Sequence, residues 1–287
     1  MTSLKITPPK FFTRTKTELF VAFIVIGLLA SRGYASHEDF IDNEKLEVET
    51  SMSNEMTPII RSATTTIPIL VYHKISKPDL LPVKGTKPSR KFSVQADIFE
   101  TQIEYIVDQG YTPLTMQDLI KDEQSNTLPQ KPIAITFDDG WRSQYENALP
   151  ILTKYHIPAT FYIYTGVIGS PVYMTWDNLH DLVNLGMEIG DHTKSHPRLT
   201  KLDPSKLDEE LLQSKKILER NLHVPVTDFA YPYGDYNSTI IDAVKNAGYV
   251  SARTSKKGIY NDFKDLYQLN TIYAPNNLQT LKDLLRK

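Results

Sequence analysis

The chain has 287 residues, a formal net charge of −2 and 40% hydrophobic residues, which is typical of a globular protein. It lacks the basic excess expected of a nucleic-acid-binding protein, so we expect no nucleic-acid partner. Its lack of cysteine excludes disulfides, thiolate zinc sites and cysteine nucleophiles. Any metal site must therefore be built from His, Asp and Glu side chains.

Residues 1–35 have the pattern of an export signal. Four basic residues lie between positions 5 and 16, and an uncharged apolar stretch follows at positions 19–30. Gly33 and Ala35 place small residues at the two positions that specify cleavage. The apolar stretch is short for a membrane span, so we expect a secreted or cell-surface protein, with an uncleaved membrane anchor as the alternative.

We expect residues 36–66 to form an acidic flexible linker, because they are rich in Asp and Glu and show no hydrophobic periodicity.

We expect residues 67–287 to form one α/β domain, because β-branched runs alternate there with amphipathic segments. The predicted strands are 67–72, 133–137, 160–164, 187–190, 227–231, 249–252 and 269–273. The predicted helices are 94–109, capped by Ser93, and 142–155, 176–185, 204–222, 238–247 and 278–286. Gly110, Gly186 and Gly248 are expected to end three of these helices. A single unit of this length fits a barrel better than two small domains.

The segment TFDDG at positions 136–140 places two adjacent carboxylates, Asp138 and Asp139, at the carboxyl end of a predicted strand. Barrel enzymes carry their active sites at that end. A turn at Gly140 can direct both carboxylates into one cavity, where one could bind a metal ion and the other accept protons. The alternative is a turn whose aspartates only cap the next helix.

The segment HTKSH at positions 192–196 follows another predicted strand. Its spacing sets His192 and His196 on one side of a single turn, which suits a divalent metal ion. Together with Asp138 or Asp139, the two imidazoles would leave coordination positions open for water and substrate, as a catalytic site requires. A chance pair of histidines is the alternative.

Two further strand ends carry candidate residues. His73 follows the first predicted strand, and YPYGD at positions 231–235 follows the fifth. We expect both at the same face of the barrel as the carboxylates. The turn could aim a backbone N–H at a developing oxyanion, whereas a structural histidine and an ordinary tight turn are the alternatives.

Taken together, TFDDG, HTKSH and AYPYG (230–234) resemble the three main motifs of the polysaccharide deacetylases, the NodB-homology or carbohydrate esterase family 4 proteins. The segment VYHKIS (71–76) is similar to the start of a permuted subgroup that includes the deacetylases of biofilm poly-β-1,6-N-acetylglucosamine. The resemblance implies a distorted (β/α)7 barrel and metal-dependent removal of acetyl groups from an acetylated amino-sugar polysaccharide.

The resemblance also implies roles for individual residues. Asp139, His192 and His196 match the metal ligands, Asp138 matches the general base, and the Tyr233 amide matches the oxyanion donor. Because the chain has no histidine after His223, the general acid is expected to be His73, as in the permuted subgroup. Ala230 departs from the family where many members have an arginine that orients the base, and Asp191 departs where serine often precedes the first ligand histidine.

Three points stay open at the level of sequence. Trp141 and Tyr231 are candidates for stacking on sugar rings, but such aromatics are as often part of a core. The metal is expected to be zinc, with cobalt, nickel and iron as alternatives, because the donor set accepts all four. The favoured substrate is a poly-β-1,6-N-acetylglucosamine-type glycan; peptidoglycan or chitin oligosaccharides, or glycan binding without catalysis, are the alternatives.

Overall fold

Seven parallel β-strands close into a barrel in the computed structural model, which describes residues 65–77 and 92–286. Each strand pairs with the next along the chain, and the last pairs with the first. The barrel strands are β1 (Ile69–Tyr72), β2 (Pro132–Phe137), β3 (Thr160–Ile163), β4 (Glu188–Asp191), β5 (Asp228–Ala230), β6 (Ser251–Lys257) and β7 (Leu269–Tyr273). All seven predicted strands are present, so the prediction of a (β/α)7 barrel is confirmed.

Helices surround the barrel and connect its strands. They are α1 (Ala96–Asp108), α2 (Met116–Gln124), α3 (Leu149–Lys154), α4 (Trp176–Asn184), α5 (Pro204–Asp208), α6 (Ser214–Leu222), α7 (Ser238–Asn246) and α8 (Leu278–Leu285). Two π-helical segments, Gln144–Ala148 before α3 and Glu209–Gln213 between α5 and α6, interrupt the predicted long helices. Gly110, Gly186 and Gly248 follow helices with positive φ, as predicted.

The structure corrects two details of the predicted elements. Helix α1 begins at Ala96 after an uncapped Gln95, because Ser93 belongs to a short strand, Ser93–Gln95, that pairs with Lys74–Ser76. Helix α2 was not predicted; its N-cap is Thr115, whose hydroxyl accepts from the amide of Asp118.

Peripheral strands were also missed. Thr112–Leu114 extends the sheet beside β2, and Thr65–Thr66 pairs with Tyr260–Asn261. These segments are two or three residues long and lack a run of apolar residues, so they carry little sequence signal.

Apolar side chains fill both surfaces of the barrel wall. The residues of β1 and β2 are all buried, as expected for strands covered on both faces. Inside the barrel, Ala134, Tyr162, Ala230 and Leu269 pack in one cluster. Outside it, a larger cluster joins the strands to the surrounding helices. The barrel is therefore a packed core, and its strand ends are left to hold polar groups.

The predicted leader and residues 36–64 of the predicted linker lie outside the described residues, so both stay predictions. Among residues 65–77 and 92–286, no helix has the length and apolar character needed to cross a membrane.

Candidate active site

The carboxyl ends of the strands surround a cavity of about 640 Å³. His73 follows β1, the two aspartates follow β2, the two metal-site histidines follow β4, and the turn at 231–235 follows β5. The predicted site residues that line this cavity are His73, Asp138, Asp139, His192, His196, Tyr231 and Tyr233. The structure thus brings together residues that are up to 160 positions apart in sequence (233 − 73 = 160).

Asp139, His192 and His196 form a group with the geometry of a metal site. Their candidate ligand atoms all lie within 4.8 Å of one another. Asp139 Oδ1 lies 3.7 Å from Nε2 of His192 and 3.5 Å from Nε2 of His196. These separations leave room for one cation between the three atoms at ordinary ligand distances.

The protonation state of His192 is also the one that a metal ligand needs. The Nδ1 atom of His192 lies 2.6 Å from the carbonyl oxygen of Ala230, so Nδ1 carries the proton that it donates. Its Nε2 then faces Asp139 with a lone pair. Burial lowers the pKa of His192 to about 3, which keeps the imidazole neutral. A lone pair facing a carboxylate oxygen is repulsive unless a cation lies between them, so the donor set suits a divalent metal ion.

Asp138 is buried and is paired with Arg253, which is not among the site residues that the sequence predicts. The register of β5 and β6 sets Arg253 directly beside Ala230, so its guanidinium reaches Asp138 from the neighbouring strand. Burial lowers the pKa of Arg253 to about 9, which leaves it charged at neutral pH. Ala230 stands where the family resemblance leads one to expect an arginine beside the base. In this chain, Arg253 of the neighbouring strand β6 takes that place.

His73 lies on the other side of Asp138. Its Nε2 atom is 3.8 Å from Oδ2 of Asp138. The imidazole stacks against Phe92 and Tyr273, with ring centroids 4.9 Å and 5.7 Å apart, and these contacts set its orientation. Burial lowers the pKa of His73 to about 4, so the imidazole is neutral at neutral pH.

Gln144 is a second residue that sequence analysis missed. It is the first residue of the π-helical segment Gln144–Ala148, and its side chain is buried. Its Nε2 donates to the backbone carbonyls of His73 at 2.8 Å and Asp138 at 2.5 Å. One amide group therefore ties together the two strand ends that carry the candidate acid and base.

The turn after β5 and the loops around it have unusual backbone conformations. Positive φ values occur at Asp139 (75°), Thr193 (71°), His196 (59°) and Tyr233 (58°), none of which is glycine. Such conformations cost free energy and are concentrated at functional sites. The Tyr233 ring is 57% exposed and contacts the rings of His196 and, at 4.7 Å, the guanidinium of Arg198.

The two candidate sugar-stacking residues occupy different positions. Tyr231 is buried, lines the cavity and stacks on Tyr236. Trp141 stands beside the metal group, where its Nε1 donates to Oδ2 of Asp139 at 2.9 Å and its ring stacks on Tyr173. Trp141 thus contacts the second oxygen of a candidate metal ligand.

Known proteins are similar to this chain over most of its length. A family model for polysaccharide deacetylases matches residues 125–252. YxkH of Bacillus subtilis, whose name describes it as a polysaccharide deacetylase, is 30% identical over 207 residues, which cover 72% of this chain and 70% of the relative. The chain belongs to the polysaccharide deacetylase family. This chain is also 27% identical over 246 residues to poly-β-1,6-N-acetyl-D-glucosamine N-deacetylase of Staphylococcus epidermidis. The match covers 79% of this chain and 85% of that protein.

A solved structure supports the same assignment. The Streptococcus pyogenes deacetylase PplD, in complex with acetate, matches with a TM-score of 0.69 and 30% identity, covering 77% of this chain and 99% of that one. The family model includes the segments that carry Asp138, Asp139, His192 and His196, whereas His73 lies outside it. The candidate general acid, His73, therefore comes from a part of the chain that the family model does not match.

Proposed function

We propose that the chain is a metal-dependent N-deacetylase that removes acetyl groups from N-acetylglucosamine units of an extracellular poly-β-1,6-N-acetylglucosamine-type polysaccharide. The observation that carries the proposal is one cavity that is lined by a buried, arginine-paired Asp138, by His73 beside it and by the Asp139–His192–His196 group. This arrangement supplies a base, a proton donor and a Lewis-acid site to one bound acetamide.

Asp139, His192 and His196 would hold the metal ion. A divalent cation in this position would supply Lewis-acid chemistry that polarises the acetamide carbonyl and makes a nearby water easier to deprotonate. Zinc is the ion that we propose, with cobalt, nickel and iron as alternatives, because two imidazoles and one carboxylate suit all of them. Trp141 would assist by holding the free oxygen of Asp139.

Asp138 is the general base in this proposal. Its carboxylate takes a proton from the water that attacks the carbonyl carbon. Arg253 favours the ionised form of this buried carboxylate, which is the form that can accept a proton. The backbone N–H of Tyr233 donates to the carbonyl oxygen as that oxygen gains negative charge.

His73 is the general acid. Its imidazole would deliver a proton to the nitrogen of the departing amine. Nε2 of His73 lies 3.8 Å from Oδ2 of Asp138, so the candidate acid and base face the same part of the cavity. The C–N bond then breaks, the amine leaves with the proton, and the acetyl group leaves as acetate.

The substrate class rests on the relatives. The Staphylococcus epidermidis relative and several Staphylococcus aureus relatives at 31% identity are named poly-β-1,6-N-acetyl-D-glucosamine N-deacetylases. The predicted export segment supports an extracellular glycan as substrate. Peptidoglycan fragments and chitin oligosaccharides are the alternatives, because the candidate catalytic groups would act on the acetamide and not on the glycosidic linkage.

Acetate release by the full-length, metal-loaded chain tests the proposal. The substrates are acetylated β-1,6-glucosamine oligomers, chitin oligomers and peptidoglycan fragments, each with and without a chelator. Asp138→Asn should lower the rate by about 10²- to 10⁴-fold, because it removes the base and keeps the shape of the side chain. Asp283→Asn, on the exposed side of α8, is the matched control and should retain the wild-type rate.

Release from the β-1,6 oligomers that requires metal and Asp138 is the expected result. Release from chitin or peptidoglycan alone would keep the chemistry and overturn the proposed substrate. Binding of the oligomers without acetate release, in metal-loaded protein, would overturn catalysis on these substrates and favour a glycan-binding role.

A further inference from the structure

The loop that carries both metal-site histidines, residues 192–196, has an irregular backbone. Thr193 and His196 both have positive φ, and no regular element includes the loop. Such a loop has no helix or strand of its own to satisfy its amide groups. How those amides are satisfied decides how firmly the two imidazoles are held.

Side chains, not backbone carbonyls, accept from four successive amides of this loop. In chain order, the amides of Thr193, Lys194, Ser195 and His196 donate to Asp191 Oδ1 (2.7 Å), Glu210 Oε2 (2.9 Å), Glu210 Oε2 (2.7 Å) and Thr193 Oγ1 (2.9 Å). The second oxygen of Glu210 accepts from the Ser195 hydroxyl at 2.6 Å. Glu210 therefore makes three of the contacts that define the middle of the loop.

Glu210 reaches the loop from the π-helical segment Glu209–Gln213. The other carboxylate, Asp191, is held by residues outside this segment. Ser214, the first residue of α6, donates to Asp191 Oδ1 at 2.8 Å, and Tyr249 donates to Asp191 Oδ2 at 2.6 Å. A π-helical segment shifts the register of the side chains that follow it and is frequent at functional sites. Here the segment carries Glu210, and the helix that follows it directly carries Ser214.

The opposite side of the loop is held by the chain after β3. The amides of Thr165 and Gly166 donate to the carbonyls of Thr193 at 3.1 Å and Lys194 at 2.7 Å. A Cβ atom at position 166 would lie 2.6 Å from the Lys194 oxygen, so this close approach requires glycine. The loop is therefore fixed from both sides before any cation binds.

We propose that Glu210 is a positioning residue of the metal site, which presets the backbone between His192 and His196 so that their Nε2 atoms face Asp139. It does not touch the metal or the substrate; it acts through the amides of Lys194 and Ser195. The inference rests on the metal site of the proposed function and adds a residue outside the three ligands. Hydrogen-bonded groups behind metal ligands commonly change metal affinity by about 10- to 100-fold.

Cobalt binding by the metal-free, full-length chain tests this role without any substrate. The visible absorption of bound Co²⁺ reports both affinity and ligand geometry. Glu210→Ala should weaken Co²⁺ binding by about 10- to 100-fold and alter the spectrum, because two amides lose their acceptor. Glu210→Gln keeps an acceptor oxygen for them, so it should bind within about threefold of wild type. Glu209→Ala is the matched control, since Glu209 contacts the Lys194 side chain at the surface.

A structural role alone predicts a different pattern. Glu210→Ala would then lower the thermal unfolding midpoint of the metal-free protein and leave Co²⁺ affinity and spectrum unchanged, which would overturn the proposal. If Glu210→Ala fails to fold, Ser195→Ala and Glu210→Gln decide. The proposal requires a measurable loss of Co²⁺ affinity in Ser195→Ala, which removes one of the three contacts of Glu210, and near-normal affinity in Glu210→Gln. Unchanged affinity in Ser195→Ala or loss of Co²⁺ binding in Glu210→Gln would contradict it.

The same titration separates this inference from the proposed function. If wild type binds Co²⁺ and Asp139→Asn does not, but no acetate is released, the proposed substrate fails and the role of Glu210 stands. If wild type does not bind Co²⁺, or Asp139→Asn binds it equally well, the metal site and the role of Glu210 fail together.

Discussion

The two ends of the barrel bury carboxylates in different ways. At the carboxyl end, Asp138 faces the guanidinium of Arg253. At the amino end, Glu188 at the start of β4 and Asp228 at the start of β5 lie close together, and no Lys, Arg or His of residues 65–77 and 92–286 forms an ion pair with either. A buried carboxylate keeps its charge only with a partner of opposite charge or with strong donors.

At the amino end the surroundings favour a proton. Burial, and then the nearby Asp228, raise the pKa of Glu188 well above its ordinary value. Glu188 Oε2 accepts from the Thr160 hydroxyl at 2.7 Å and from the Gln117 amide at 3.0 Å. These two bonds fasten β3 and the start of α2 to β4. A protonated Glu188 therefore acts as a structural contact at this end.

Tyr162 separates the two carboxylate environments inside the barrel. Its ring lies 4.4 Å below the guanidinium of Arg253, and the absence of a side chain at Gly190 leaves room for it. The two ends therefore differ in one respect: a guanidinium lies beside the buried carboxylate at the carboxyl end, and no ion-pair partner within residues 65–77 and 92–286 lies beside Glu188 at the amino end. In the proposed mechanism, Arg253 is what keeps Asp138 ionised and able to act as a base.

The largest expected effect follows from removing that cation. Arg253→Leu should lower the free energy of unfolding by about 3–5 kcal/mol, because it leaves Asp138 buried without a counter-ion. It should also lower kcat for acetate release, since Asp138 then loses the charge that favours its basic form. Urea unfolding and acetate release measure the two effects.

A double substitution makes this prediction sharper. Asp138→Asn together with Arg253→Leu should recover much of the lost stability, because no unpaired charge remains, but it should not recover activity. Arg220→Leu, at an exposed position on α6, controls for the loss of a surface arginine. If Arg253→Leu unfolds at the same urea concentration as Arg220→Leu, the ion pair is not a major stabilising contact.

A smaller effect is expected at His73. His73→Gln should lower kcat by about 10²-fold, equivalent to about 2.7 kcal/mol, and leave KM within about twofold, because only the proton donor is removed. The matched control is His223→Asn, an exposed histidine whose left-handed backbone asparagine tolerates. A rise in KM with unchanged kcat would instead make His73 a substrate-binding residue.

Much of this site was predictable from the sequence, because its candidate residues follow apolar runs that end at one face of a barrel. His73 and Asp138 follow such runs directly, and Asp139, His192 and His196 come within six positions of the end of one. Arg253 and Gln144 were different. Arg253 reaches the candidate site through the register of β5 and β6, and Gln144 reaches it from a π-helical segment. Both depend on contacts between elements, which hydrophobic periodicity does not report.

The smallest effect is expected at the structural end. Glu188→Gln should stabilise the protein at alkaline pH by on the order of 1 kcal/mol, because glutamine is neutral like the protonated acid and its oxygen still accepts from Thr160 and Gln117. The pKa of Glu188 is higher in the folded than in the unfolded chain, so its stabilising contribution is complete at acid pH and is lost as pH rises through the folded-state value. Urea unfolding between pH 5 and pH 9 should therefore show a difference between variant and wild type that grows with pH.

Glu146→Gln, an exposed position in the segment Gln144–Ala148, removes one carboxylate without touching the buried pair and should follow the wild-type pH dependence. Parallel loss of stability in wild type and Glu188→Gln would mean that Glu188 is ionised in the folded protein and that the amino end tolerates a buried charge without a cation. Arg253 would then matter for catalysis and not for stability. In that case the double variant Asp138→Asn, Arg253→Leu should be no more stable than Arg253→Leu alone.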